Sequence, residues 1–492
     1  MVEVAASNPW RPENTRRCVR GRILVKVKSE DGPSSAPHYL QTRMLAAPLH
    51  FDRGRIDRAV HRHSYAMQVT RAYEPSRLPL LGNPVGDAWD DLERKTGLSR
   101  TYRIDVDPNT SLLNLVDSLR CLEDVEVATP HYLSNTPFQF EPSISSESYG
   151  YGRPSDPYYA HRMVGSSEAL AFEPGDRALQ VGVVDSGVDL NHPELMGALR
   201  PGVDTVDLPD QILSDGARLV GDSENPDRIP RDEIGHGTAC ASIIAARGDK
   251  VPPGVGGAAQ VLPARALAGV RLMEKNKLTA MGALPDIDQS VKTLVDLGAK
   301  VLNLSFGTPA SALRDDDPIP HQDVINYALQ KGCILVAASG NDGRFNRYFP
   351  ASHPGVLAVG SVSESNSPSS FSTRGDHVLL CAPGENVLAA SLGSKYTENT
   401  GTSFAAPFVS GACALLVSRA ARYGRPLDAQ TVKSFLTAHA RPFAAGSDTR
   451  GCGAGILDMP ATLRGLEHAL ARGRNPQIPV APLATSDSSE AS

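Results

Sequence analysis

LQVGVVD, at residues 179–185, is a short and nearly continuous apolar run, and three runs of the same kind follow it: AKVLNLSFG (299–307), CILVAASG (333–340) and GVLAVGSV (355–362). Such runs are typical of parallel strands that are buried on both faces. Helical patterns lie between them, at 236–246, 286–298 and 321–332. The alternation predicts an α/β fold, a doubly wound and mostly parallel sheet with helices on both faces, whose ligands gather at the carboxyl ends of the strands.

The first part of the chain has a different texture. Residues 21–28 and 101–106 alternate between apolar and polar, as half-exposed strands do, and leucines recur at helical spacing over 112–122. These features predict a small α+β domain that precedes the α/β domain. Residues 29–85 show no clear pattern.

Composition and these patterns divide the chain into four parts. We predict an N-terminal domain over residues 1–133, a linker rich in Ser, Pro, Gly and Tyr that is open to cleavage over 134–155, a main domain over 156–465 and a flexible tail over 466–492.

Bulk properties exclude several classes of function. The chain has 492 residues and a net charge of −6, which gives no indication of a nucleic-acid partner. We recognise neither a signal peptide nor a membrane-spanning segment, so the expectation is a cytoplasmic protein without a membrane partner. Seven scattered cysteines in mostly apolar surroundings are typical of reduced thiols.

Ser403 lies in GTSFAAP (401–407), just before a long run of small apolar residues that predicts a buried helix. A serine in the first turn of such a helix is either a cap or a nucleophile, because the helix N-terminus favours developing negative charge. A nucleophile needs a base and an orienting acid. Asp185 ends one predicted strand, His236 lies in GHGTACAS, and Asn341 follows another strand. Each has an ordinary alternative as a turn, capping or loop residue, but their joint occurrence favours catalysis.

The blocks VVDSGVDLNHPEL, GHGTACASIIAA, LNLSFG, VAASGNDG and GTSFAAPFVSGA resemble, in the same order, those of the subtilisin-like serine proteases, over roughly residues 155–462. The resemblance to the thermitase and proteinase K branches is the clearest. It implies that Asp185, His236 and Ser403 form a catalytic triad, that Asn341 supplies an oxyanion-hole donor, and that the chemistry requires no cofactor.

The resemblance also implies a set of substrate-binding residues. Two walls of the pocket for the residue before the cut are expected at Ser305, Phe306 and Gly307 and at Ala338, Ser339 and Gly340. Asp342 follows Asn341, and it is either a determinant for basic residues or a turn aspartate that faces water.

A structural calcium site is a further expectation of the resemblance, with Asp156, Glu194 and Asp249 as ligands. The loop GDKVPPG at 248–254 departs from the family pattern, and so does glutamate at position 194. Cys240, one turn after His236, is interpreted as a packing residue.

The N-terminal domain resembles the propeptides of this family, which act as chaperone and inhibitor and whose last strand leads into the active site. The leading hypothesis is therefore a self-processed serine endopeptidase, made as a zymogen, that hydrolyses selected polypeptides. Phe404, Ala406, Phe408 and Ala239 depart from the usual family residues and favour restricted specificity. A transpeptidase or macrocyclase, and a catalytically silent binding protein, are the alternatives.

Overall fold

The computed structural model describes residues 18–136 apart from 31, 43 and 78–87, and residues 156–472 apart from 210–216, 225, 273–276 and 314–315. The predicted processing linker therefore lies outside the described residues except at residues 134–136. The predicted tail lies outside them beyond residue 472.

The N-terminal part is a four-stranded antiparallel unit with the strand order β2-β3-β1-β4. Its two longer helices pack on each other, and α3 packs on the sheet, around a core that includes Ile23, Val69, Ile104 and Leu115. This arrangement of strands and helices is the α+β layout that the sequence predicted. It tests neither the predicted function of the domain nor its predicted boundary. Its elements are β1 (Cys18–Val27), α1 (Arg55–His61), β2 (Met67–Arg71), α2 (Asp91–Thr96), β3 (Thr101–Val106), α3 (Leu112–Arg120) and β4 (Val125–Asn135).

The main domain is built on a seven-stranded sheet in which every neighbouring pair of strands is parallel. The strand order is β16-β15-β13-β11-β5-β8-β6, which confirms the predicted doubly wound α/β class. The sheet strands are β5 (Gln180–Asp185), β6 (Val203–Asp204), β8 (Gln260–Arg265), β11 (Val301–Leu304), β13 (Ile334–Ala338), β15 (Leu357–Val362) and β16 (Val378–Pro383).

Helices and small hairpins complete the domain. The helices are α4 (Tyr159–Val164), α5 (Ser166–Phe172), α6 (His236–Ala245), α7 (Leu284–Asp296), α8 (Gln322–Gln330), α9 (Thr402–Ala421), α10 (Ala429–Ala438) and α11 (Met459–Ala471). The remaining strands are β7 (Ala217–Val220), β9 (Ala268–Leu272), β10 (Lys277–Ala283), β12 (Thr308–Pro309), β14 (Tyr348–Phe349), β17 (Val387–Ser391) and β18 (Lys395–Asn399).

Two predicted boundaries differ from the structure. Helix α11 continues to Ala471, six residues beyond the predicted end of the main domain, because Leu466 and Leu470 on its apolar face pack into the core. Strand β4 continues to Asn135 because its last residues pair with β10. Residues 466–471 and 134–135 therefore belong to elements rather than to a tail and a linker.

Helix α9 is the central helix of the core. By length and hydropathy it could cross a membrane, which the sequence analysis did not anticipate, but 83% of its most apolar window is buried inside the protein. It packs against α6, β13 and β15, and so it occupies the position of a core helix.

The two domains share a second sheet. Residues Leu133, Ser134 and Asn135 of β4 pair antiparallel with Ala283, Gly282 and Met281 of β10, giving the strand order β2-β3-β1-β4-β10-β9-β7. The hairpin β9–β10 belongs to the main domain, so one continuous sheet crosses the boundary between the domains.

Charged groups flank this crossing. Lys292 on α7 lies 2.6 Å from Glu93 on α2, and both side chains are fully buried. Lys26 pairs with Asp323 at 3.0 Å, and Arg22 pairs with Asp207 at 3.1 Å. The N-terminal domain is thus attached by ion pairs at several points as well as by β4.

Candidate active site

Asp185 is the last residue of β5, at the carboxyl edge of the parallel sheet. Its Oδ1 accepts hydrogen bonds from the Ser186 backbone N–H and from Nδ1–H of His236, each at 2.7 Å. The carboxylate is fully buried. A buried aspartate in this contact fixes the imidazole so that Nε2 faces away from it, which is the orientation that a general base requires.

His236 is the first residue of α6, where Gly237 allows the helix to lie close to β5. A Cβ at position 237 would lie 2.1 Å from the Gly187 carbonyl oxygen, so a larger residue would push the helix and its histidine away. The close approach of these two backbone segments therefore requires glycine at position 237.

Asp232 is a residue of this site that the sequence analysis missed. Its buried carboxylate accepts backbone N–H groups from Ile234, Gly235 and Thr238 at 3.0, 2.9 and 2.9 Å, and the Thr238 hydroxyl at 2.6 Å. Burial raises the pKa of Asp232 above its ordinary value. These bonds cap the first turn of α6 and so hold His236 in position. The sequence signal that could have identified Asp232 is a carboxylate four residues before the histidine.

Ser403 lies in the first turn of α9, two residues after Gly401. Gly401 has φ 145°, a backbone conformation that essentially only glycine adopts. The Ser403 carbonyl accepts hydrogen bonds from the Ser305 hydroxyl at 2.9 Å and from the Cys240 thiol at 3.4 Å. The Ser403 hydroxyl donates to the Ser305 carbonyl at 3.0 Å. The backbone of the serine is therefore fixed, and its hydroxyl must rotate before it can donate to His236.

Asn341 lies beside the N-terminus of α9. Its amide oxygen accepts the Thr402 backbone N–H at 3.0 Å and the Thr402 hydroxyl at 2.8 Å. Because a backbone N–H can only donate, this contact fixes which end of the amide faces Thr402. The Nδ2 donors point elsewhere, as an oxyanion-hole donor requires.

Cys240 supports the site through packing. Burial, with the Asp185 charge as a second cause, raises the pKa of the thiol well above its ordinary value, so the thiol stays protonated. One ligand atom from each of Asp185, His236 and Cys240 lies within 4.8 Å of the others. The Cys240 thiol donates to Ser403, which supports the predicted packing role.

The two predicted pocket walls follow neighbouring parallel strands. Ser305, Phe306 and Gly307 continue β11, and Ala338, Ser339 and Gly340 end or continue β13. The Ser339 hydroxyl donates to the Thr373 carbonyl at 3.1 Å, and Ser305 contacts Ser403 as described above. The structure thus brings both walls to the sheet edge that carries Asp185.

Asp342 lies in a tight loop after Asn341. Its Oδ1 accepts the Arg344 backbone N–H at 3.0 Å and the Thr373 hydroxyl at 2.8 Å, and its Oδ2 accepts from Asn346 at 2.6 Å. Both oxygens are thus engaged within the fold, which favours the turn role over the role in recognising a basic residue.

The predicted calcium ligands do not fit a cation. The buried carboxylate of Glu194 accepts backbone N–H groups from the loop at 248–251, among them Gly248 at 2.9 Å and Asp249 at 3.1 Å. Calcium sites need oxygen ligands, whereas these amides turn their positive ends inward. The other two carboxylates are also engaged elsewhere, since Asp156 pairs with Arg162 and Asp249 lies 3.6 Å from Arg247. These contacts do not support the calcium prediction for these residues, because glutamate at 194 bonds the loop directly.

The catalytic candidates are enclosed when the N-terminal domain is docked. Asp185, His236 and Ser403 are each 0% exposed. Strand β4 lies beside β10 and also approaches β12, which directly follows the Ser305–Gly307 wall. The end of the N-terminal domain therefore lies next to the predicted substrate pocket.

A buried Asp–His pair and a serine at a helix N-terminus, all at the carboxyl edge of a parallel sheet, are the groups that a serine hydrolase needs. Comparison with known proteins identifies the family: the profile of the Subtilase family, peptidase family S8, matches residues 176–455. The chain therefore belongs to the subtilase family of serine peptidases.

Two curated relatives illustrate the similarity. Thermitase of Thermoactinomyces vulgaris is 33% identical over 272 residues, which is 54% of this chain and 86% of thermitase. The thermophilic serine proteinase of Bacillus sp. (strain AK1) is 32% identical over 300 residues, which is 60% of this chain and 64% of that proteinase. The match thus spans less than two thirds of the Bacillus protein.

Solved structures agree on the fold. The prenylagaramide maturation protease PagA is 29% identical, with a TM-score of 0.50 over 61% of this chain and 98% of that chain. A protease from Pseudoalteromonas arctica PAMC 21717 is 24% identical, with a TM-score of 0.52 over 64% of this chain and 98% of that chain. This second likeness concerns the fold alone.

Proposed function

We propose that this chain is a serine endopeptidase that acts through Asp185, His236 and Ser403. The observation that carries the proposal is the 2.7 Å contact between Asp185 Oδ1 and His236 Nδ1, at the sheet edge that also carries Ser403. Membership of the subtilase family supports the same reaction class.

In the proposed mechanism the Ser403 hydroxyl rotates away from the Ser305 carbonyl and gives its proton to Nε2 of His236 as Oγ attacks the scissile carbonyl. Asp185 stabilises the imidazolium that results. Asn341 Nδ2 and the Ser403 backbone N–H bind the oxyanion. His236 then returns the proton to the leaving amine, and water hydrolyses the acyl-enzyme by the reverse sequence.

The N-terminal domain is proposed to be the inhibitor of this site. Its strand β4 uses the backbone donors and acceptors of β10, which an extended polypeptide substrate could otherwise use. The complete burial of the catalytic candidates and the ion pairs at Lys26, Arg22 and Lys292 support an inhibited, docked state. Cleavage within residues 134–155 is proposed to release it.

Restricted specificity is the proposed mode of action. The large residues Phe404 and Phe408 are buried at the start of α9. The ring centroid of Phe404 lies 5.3 Å from that of His236, which reduces the space around the proposed general base. The similarity to a maturation protease favours processing of selected peptides over general digestion.

The test is the intact mass of the full chain beside its Ser403→Ala variant after equal incubation. We expect the wild type to lose a fragment of about 140 residues and the variant to stay whole. A fluorophosphonate should label only the wild type, because only an activated serine reacts. Absence of both cleavage and labelling would favour a catalytically silent protein.

The mass of a peptide product separates hydrolysis from the alternative, transpeptidation. Hydrolysis adds one water to the products, whereas cyclisation of a peptide does not. Products without added water would replace the endopeptidase proposal with a macrocyclase on the same triad.

A further inference from the structure

Tyr348 lies between the two walls of the predicted pocket. A Cβ at Gly307 would lie 3.2 Å from its Cδ1, and a Cβ at Gly340 would lie 2.7 Å from its Cδ2. One edge of the ring therefore contacts the wall that continues β11, and the other edge contacts the wall that continues β13. The ring spans the space between the walls.

Backbone hydrogen bonds hold the chain in place before and after Tyr348. Strand β14 pairs antiparallel with β12, so Tyr348 faces Pro309 and Phe349 faces Thr308. The Ala310 N–H donates to the Arg347 carbonyl at 2.9 Å, and the Ser352 N–H donates to the Tyr348 carbonyl at 2.8 Å. Because β12 directly follows Gly307, these bonds fix the tyrosine relative to the wall that it contacts.

The glycines themselves make this position of the ring possible. Any side chain at position 340 would overlap the Tyr348 ring at 2.7 Å, and even a methyl group at position 307 would be in tight contact with it. Tyr348 is half-buried, and its ring occupies space between the two walls.

The pocket between these walls lies beside the reacting groups. The Ser305 hydroxyl bonds the Ser403 carbonyl, and Gly340 directly precedes Asn341. A substrate carbonyl held between Ser403 and Asn341 would direct the side chain of the same residue, the one on the amino side of the cut, between the walls. There it would meet the Tyr348 ring.

We propose that Tyr348 restricts the residue on the amino side of the scissile bond to small side chains, namely Gly, Ala or Ser. The inference rests on the proposed function. It follows from volume: a bulky side chain and the tyrosine ring cannot share the space between Gly307 and Gly340 without moving the ring out of its packed position.

The test uses the full chain and a series of matched peptides that differ only in that residue, with Ala, Leu or Phe. We expect wild type to prefer Ala over Phe by about 100-fold in kcat/KM, the size of discrimination that a filled pocket can give. Tyr348→Ala should lower this ratio at least about tenfold. Tyr348→Phe, which keeps the ring, should preserve it, and so should Tyr158→Ala, which removes an exposed tyrosine elsewhere.

Fluorophosphonate labelling accompanies each assay and separates two kinds of failure. If wild type is labelled but cleaves the Phe peptide as fast as the Ala peptide, Tyr348 does not restrict the pocket and the endopeptidase proposal stands. If wild type that has lost its N-terminal fragment is not labelled, both proposals are wrong. If Tyr348→Ala alone fails to label because it does not fold, the ratios of wild type and Tyr348→Phe decide.

Discussion

In the parallel sheet, all residues of β13 and β15 are buried and most are apolar, whereas the antiparallel sheet crosses between the domains through three residue pairs of the described chain, with charged groups around them. Titratable groups at this crossing have shifted pKa values. Burial and the Asp207 charge raise the pKa of Asp286 to about 8, and burial lowers that of His38 to about 3. The first sheet is held by apolar burial, whereas charged groups surround the crossing in the second sheet, which is compatible with the proposed release of the N-terminal domain.

This difference separates catalysis from attachment. Apolar burial over the parallel sheet depends little on pH or salt, while ion pairs lose part of their attraction when the interface opens to water. Variants of the two regions should therefore change different measurements.

Asn341→Ala should lower kcat by a factor of about 10²–10³ with KM little changed, since it removes a proposed donor to the oxyanion. The factor comes from a member of this family rather than from this chain. Steady-state kinetics with one peptide substrate measures it. The melting temperature should stay close to that of wild type, because Asn341 is only half-buried. A kcat equal to that of wild type would show that Asn341 is not a donor to the oxyanion.

Lys292→Met should weaken the attachment of the N-terminal domain. It leaves the buried Glu93 carboxylate without its cation, at a cost of about 3 kcal/mol, or about 100-fold in the opening of the interface. The rate of fluorophosphonate labelling of the unprocessed chain should rise by that factor.

Two further variants control this prediction. Lys300→Met removes an exposed lysine just after α7 and should leave the labelling rate unchanged. The double variant Lys292→Met with Glu93→Leu should recover most of the wild-type rate, because it removes both buried charges. A labelling rate that is unchanged in Lys292→Met would show that the ion pair does not hold the domain.

Glu194→Ala should lower the free energy of unfolding of the main domain by about 2 kcal/mol, since buried amides of the loop at 248–251 lose their acceptor. Thermal unfolding measures this, and Asp249→Ala, which removes an exposed carboxylate, should have almost no effect. Excess chelator should leave the wild-type melting temperature unchanged. A fall of several degrees on chelation would restore the calcium hypothesis, with ligands other than these three.

The scaffold was largely predictable because its signals are local. Apolar runs at 179–185 and 333–340 became β5 and β13, and the small-residue run after His236 became α6. Asp185, His236 and Ser403 could be placed at one edge because the carboxyl ends of parallel strands meet there. The family match then fixed the fold, while the roles of these residues stay predictions.

The attachment was less predictable because its signals are not local. The hairpin β9–β10 has no clear strand pattern in sequence, and it joins the sheet of the N-terminal domain by pairing with β4, more than 100 residues earlier in the chain. Helix α1 and strand β2 are short elements in a region without periodicity. Asp232 and Tyr348 act through contacts that only the folded chain creates.

The pairing of β4 with β10 also affects how readily the protein associates with itself. When the N-terminal domain leaves, β10 becomes the edge of its hairpin and exposes a row of unpaired backbone groups, which other chains can use for edge-to-edge association. Concentrated, freshly cleaved protein should therefore associate with itself more readily than the intact chain. The departing domain would in this respect act as a guard against precipitation, and an extended peptide bound along β10 would take over that protection.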